Sequence, residues 1–127
     1  MSTEDILKAL RSVPIPSCFL FGQTVKEMRI EKRLLQEDLA KALNVQQSAY
    51  CKLETGVTTF NALHLAKIED GVGLEPVSIF ERYEKVTADL KSRGFTIEGR
   101  RTTPTEIKEL KYLFSQLSQL SPREEGR

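Results

Sequence analysis

The chain has 127 residues, 39% hydrophobic and 29% charged, with a formal net charge of +1, two cysteines and one histidine. That apolar content supports one core, hence one compact domain or a small domain with an appendage, while two thiols are too few for a disulfide framework or a thiolate metal site. No run approaches the roughly 18 to 20 apolar residues that cross a bilayer and the N-terminus lacks a secretory pattern, so a protein of a reducing cytoplasm with no membrane partner is expected.

Taken in chain order, Thr3 to Leu10 predicts a short helix with Ile6, Leu7 and Leu10 inward, and Val13-Pro14-Ile15-Pro16 a stiff extended connector. Gly22 to Arg33 reads as a helix with Val25 and Met28 on one face, Phe21 preceding them at a four-residue step. In the next helix Leu39 and Leu43 lie one turn apart and Ala40 is small enough to admit a neighbouring helix. Asn44 can enter the left-handed conformation that ends it, with Val45 plugging the turn. A second short helix follows, with Tyr50 and Leu53 inward and Gly56 at its end. Its outward residues are Gln46, Gln47, Ser48, Cys51, Lys52 and Thr55, a set of amides, hydroxyls and one cation that suits the reading of base edges in a major groove. For Cys51 the plainer reading is a half-buried filler.

Asn61 is a natural N-cap for a helix from Ala62 to Ile68, with Phe60 stapled on Leu65. Pro76 suits the first turn of a fifth helix carrying Val77, Phe80 and Tyr83, which Val86 to Ser92 continues up to a break at Arg93-Gly94. Phe95 to Glu98 alternates, as a short strand or as extended coil; a strand would need a partner, which in a dimer is its own copy. Arg100 and Arg101 fit a solvated linker better than a phosphate contact. Thr103-Pro104-Thr105-Glu106 is a capping box opening a helix to about Leu120, whose stripe is Ile107, Leu110, Leu113, Phe114, Leu117 and Leu120. The tail from Ser121 is polar.

The segment Phe21 to Phe80 resembles the Cro and phage-repressor type of helix-turn-helix domain, also called the xenobiotic-response-element type. The resemblance is carried by Phe21-Gly22, Arg29, Gln36-Glu37-Asp38-Leu39-Ala40, Glu54-Thr55-Gly56 and Leu65 to Ile68. It implies an all-α fold: a five-helix, lambda-repressor-like domain over 21–86, preceded by an arm over 1–20. After it come a C-terminal region over 87–120, with one further helix and the short strand, and a tail over 121–127. It also implies that Gln36 touches the DNA backbone, that Gln47, Ser48 and Lys52 face bases or phosphates, and that Arg29 and Glu54 form an architectural ion pair. With Gln46, Cys51, Thr55 and Thr58 these complete the expected DNA-binding set. Departures from the pattern are Leu35 and Gln46 at the two cap positions, Arg33 in place of a frequent glycine, and Phe60 in place of a frequent proline.

The implied function is sequence-specific regulation of transcription, more naturally repression, by a cytoplasmic, nucleoid-associated homodimer on double-stranded DNA. Charge argues for doubling: residues 22–86 carry nine Lys or Arg against ten Asp or Glu, which is meagre for a single DNA-binding domain. Two roles compete for the stripe from Ile107 to Leu120 besides dimerisation: packing on Met1 to Leu10 of its own chain, or covering a protein partner, as in antitoxins that repress their own operon. An enzyme is not expected. His64 falls inside a helix, and no zinc spacing, phosphate loop or nucleophile-base arrangement appears, so no catalytic residue, metal or cofactor is assigned.

Overall fold

The computed structural model describes residues 2–120, with side chains to Ser118. It is all-α apart from two strand fragments. The elements are α1 (Thr3–Arg11), β1 (Ile15–Pro16), α2 (Ser17–Glu31), α3 (Gln36–Leu43), α4 (Gln47–Glu54), α5 (Ala62–Val72), α6 (Pro76–Ser92), β2 (Ile97–Glu98), a 3₁₀ turn (Pro104–Glu106) and α7 (Ile107–Leu120). The five helices expected between Gly22 and Val86 are present as α2 to α6.

α2 and α3 end in the same way. Arg33 has φ 60° and Leu34 N–H then reaches back to Arg29 O at 3.0 Å; Asn44 has φ 58° and Val45 N–H reaches back to Ala40 O at 3.0 Å. This six-to-one closure satisfies carbonyls that a helix end leaves orphaned and needs one left-handed residue. Asparagine meets that need cheaply, whereas arginine costs about 1 kcal/mol. Arg33, standing where the family pattern favours glycine, therefore carries backbone strain. Val45 does not plug the second turn; its side chain is 37% exposed, and the turn is closed by its backbone instead.

Two cores form. The first gathers Val25, Met28, Leu39, Ala40, Leu43, Tyr50, Leu53, Leu65, Ile68, Leu74 and Ile79 from α2 to α6. The second gathers Leu10, Ile15, Leu20, Leu90, Phe95, Leu113 and Leu117, with Ile6, Leu7 and Phe114 packed against it. α2 serves the second core with Leu20 and the first with Val25 and Met28; α6 serves the first with Ile79 and the second with Leu90. The boundaries expected at 20/21 and 86/87 consequently fall inside α2 and α6.

Of the roles expected for the α7 stripe, this arrangement shows packing within the chain. Leu110, Leu113 and Leu117 are buried in the chain itself, Ile107 and Phe114 are half-buried, and the Phe114 ring packs edge-on against buried Phe19 at 5.2 Å. An amphipathic stripe must be covered, and α1, β1 and the ends of α2 and α6 cover this one. The side chain of Leu120 lies outside the described residues, as do 121–127. The strand is likewise paired in its own chain. Ile15 and Pro16 run parallel to Ile97 and Glu98, with Ile15 N–H donating to Thr96 O at 2.9 Å, so a second copy is not needed as partner.

Candidate nucleic-acid interface

α3 and α4 pack as two short helices, with Ala40 of α3 4% exposed in the same core as Tyr50 and Leu53 of α4, and α2 crosses α4 at Gly22. A Cβ on Gly22 would lie 2.2 Å from Glu54 O and 2.7 Å from Leu53 O, both backbone, so only glycine allows that approach. Beneath the crossing sits a buried polar knot. Arg29 Nε donates to Glu54 Oε2 at 2.6 Å and Nη2 to Oε1 at 3.2 Å, while Nη1 donates to Leu34 O at 2.9 Å. Tyr50 Oη donates to Glu54 Oε2 at 2.7 Å, and Gln36 Nε2 to Oε1 at 2.9 Å. The expected Arg29–Glu54 pair is thus present, 8% and 2% exposed. Burial works against the charge on Arg29, but the bonds and charge of Glu54 outweigh it and raise the guanidinium pKa; burial first, then Glu54, push the Tyr50 phenol far above its ordinary range. Each buried charge here has a partner, as a low-dielectric site demands.

The knot fixes the pose of the outward face. Gln46, Gln47, Ser48, Lys52 and Thr58 are exposed and Cys51 is half-buried. Ser48, Lys52, Thr58 and Thr59 line one groove beside α4. Gln47 leans back, its Nε2 donating to Gln36 Oε1 at 3.3 Å, so a chain of amides links the surface to Glu54. Gln36 therefore has its side chain bonded on both sides, to Glu54 and to Gln47. Leu35 brings no capping hydroxyl, yet half a capping box survives, since Leu35 N–H donates to Asp38 Oδ2 at 2.7 Å. Gln46 gives no cap at all to α4, leaving its first amides unclaimed by that side chain.

Thr55 does not belong to the outward face. It is 7% exposed and its hydroxyl donates to Cys51 O at 3.2 Å and Lys52 O at 3.3 Å, the back-bonding of a threonine to the preceding helical turn. Gly56 follows with φ 80°, where an added Cβ would meet Cys18 C and Phe19 N at 2.5 Å. Two partners went unread in the sequence. Tyr50 stands four residues before Glu54, a spacing that places its hydroxyl on the carboxylate. His64 occupies the N3 position of the cap expected at Asn61: Asn61 N–H donates to His64 Nδ1 at 3.1 Å and His64 N–H to Asn61 Oδ1 at 2.8 Å. Burial first, and Lys67 nearby, lower the His64 pKa. Among the described residues no helix is long and apolar enough to cross a membrane, and no cluster of three or more metal-ligating side chains occurs.

A small helix packed on a second by an alanine, clamped by a buried Arg–Glu pair and presenting amides, a hydroxyl and a lysine to solvent, is the reading head of a helix-turn-helix DNA-binding protein. The helix-turn-helix family model matches residues 25–79. Control protein C.MunI of Mycoplasma sp is 32% identical over 66 residues, spanning 51% of this chain and 89% of the relative. The chain belongs to the Cro/C1-type helix-turn-helix family of DNA-binding transcription regulators. No solved structure matches it significantly.

Proposed function

We propose that the protein reads a specific duplex as a homodimer, laying α4 in the major groove, and represses transcription by occupying a promoter. The observation that carries this reading is the exposed row Gln46, Gln47, Ser48 and Lys52 on a helix whose opposite face is locked by Glu54. An α-helix matches the roughly 12 Å width of the groove, and amides and hydroxyls can pair with base edges there. Lys52 and Thr58, with the uncapped first turn of α4, supply contacts to phosphate. Repression needs nothing beyond occupancy, and no covalent chemistry enters the mechanism, so the protein acts as a regulator and not as an enzyme in the cytoplasm.

Dimerisation follows from the near balance of charge over 22–86, which leaves one head short of affinity, and from the repeat of half-sites about one DNA turn apart that such heads use. With the α7 stripe engaged internally, the apolar surface left for a second copy includes Val77 and Phe80 on α6, 68% and 48% exposed. The antitoxin-type reading loses its segment to the same internal packing.

The test is enrichment of bound duplexes from a random-sequence pool. The wild type should enrich one motif arranged as two half-sites, and Gln47→Ala, Ser48→Ala and Lys52→Ala combined should abolish that enrichment while preserving helical circular dichroism. Unchanged enrichment by the triple variant would overturn the assignment of α4. A concentration-independent monomer mass in sedimentation at micromolar protein would remove the dimer.

A further inference from the structure

The two arginines between β2 and α7 sit in different surroundings. Arg100 is engaged by acids of its own chain: its Nε donates to Glu98 Oε1 at 2.7 Å, Nη1 to Glu106 Oε2 at 2.7 Å and Nη2 to Glu106 Oε1 at 3.1 Å. Thr102 is buried at 3% exposure, its Oγ1 lying 2.6 Å from where a Cβ on Gly56 would stand. Arg101, between them, is exposed, and its guanidinium makes no hydrogen bond or ion pair with the described residues. The backbone on both sides is tied to the reading head. Cys18 N–H donates to Arg100 O at 3.2 Å, and Thr102 N–H donates to Gly56 O at 2.9 Å. Residue 101 is therefore held at the foot of the turn that follows α4.

We propose that the DNA-contacting surface extends from α4 and the 56–59 turn onto this segment, with Arg101 as a cation for the phosphate backbone beside the base-reading site. The inference rests on the reading of α4 given above. Continuity of the surface supports it: Thr58 and Thr59 share a groove with Ser48 and Lys52, and Thr59 Oγ1 lies 3.8 Å from the Sγ of Cys18, the residue whose own amide holds Arg100 O. Electrostatics support it as well. A head with nine basic and ten acidic residues over 22–86 gains in relative terms from each added cation, and Arg101 lies outside that count. The backbone that carries it is already ordered by the chain's own hydrogen bonds, so binding does not have to order a loop. Glu98 and Glu106, the nearest acids to Arg100, are occupied by it and so repel a phosphate less than free carboxylates would.

The experiment uses the full chain and the duplex enriched by the wild type, with affinity measured from low to moderate salt. One lost phosphate contact makes the slope of log Kobs against log salt shallower by about 0.9. Arg101→Ala should show that change without altering the enriched motif, Arg101→Lys should restore the wild-type slope, and Lys111→Ala, at an exposed position of α7, should leave it unchanged. A slope for Arg101→Ala equal to the wild type overturns the inference and leaves the α4 reading standing. A changed motif would make Arg101 a base contact and also overturn it. If the wild type enriches no duplex, the α4 reading fails and this one with it.

Discussion

Replacing Glu54 with glutamine tests the knot that aims the reading helix. All four groups that bond the Glu54 carboxylate are donors: Arg29 Nε and Nη2, Tyr50 Oη and Gln36 Nε2. Glutamine keeps the volume but brings a donor of its own into that ring and leaves the Arg29 guanidinium, 8% exposed, facing a neutral partner. Removing one member of a buried ion pair costs about 3 to 5 kcal/mol; because Arg29 keeps its bond to Leu34 O, the low end, about 3 kcal/mol, is expected. In urea, with a slope of about 2 kcal/mol per molar, the unfolding midpoint should fall by about 1.5 M with the slope itself unchanged. The double variant Arg29→Met, Glu54→Gln removes the stranded charge and should be less destabilised than the sum of the single variants by about 2 kcal/mol. Additive losses, or a Glu54→Gln midpoint close to the wild type, would refute the reasoning.

Three further outcomes follow from other parts of the molecule. Gly22→Ala puts a Cβ against the backbone of α4, so it should cost about 2 to 4 kcal/mol by thermal or urea unfolding and weaken DNA binding together with stability; normal stability would mean that α2 can slide along α4. Leu113→Ala empties a fully buried site in the second core and should cost about 2 to 5 kcal/mol with the solution mass unchanged, whereas a change of mass without loss of stability would return α7 to an intermolecular role. Lastly, the folded chain binds the His64 proton less readily than the unfolded chain does. Stability linked to this group is therefore fully present above about pH 6.5 and lost as pH falls toward the lower folded value. Urea midpoints at pH 7.5 and 5.5 should differ in that direction, and the part of the difference due to this imidazole should vanish in His64→Leu.

The reading head was legible because its requirements are local. Asn44 at a left-handed position, Ala40 at a helix contact and Gly56 past a helix end are residue types that geometry selects almost alone. Thr55 was not legible, since helical projection places it outward, whereas the chain buries it and its hydroxyl bonds back to Cys51 O, four residues earlier. The stripe along α7 shows a further limit: amphipathicity says that a face is covered and is silent about what covers it. Here the cover is assembled from α1, β1 and the far ends of α2 and α6, contacts that span most of the chain. The same holds for Arg100. Its neighbour Arg101 suggested a solvated pair, but Glu106, read as the end of a capping box with Thr103, serves both that box and Arg100. Its carboxyl is held at about 2, first by Arg100 and then, against the opposing effect of burial, by Thr103.

The sharing of α2 and α6 between two cores bears on whether the reading head is stable alone. Arg29, which clamps the reading helix, and Leu20, which anchors the second core, stand on one uninterrupted helix. Loosening α7 strips cover from Phe19 and Leu20 and so weakens the register of the helix that holds Glu54. Removing α7 should therefore lower the stability of the whole chain, the reading helix included, and not leave an independently stable head.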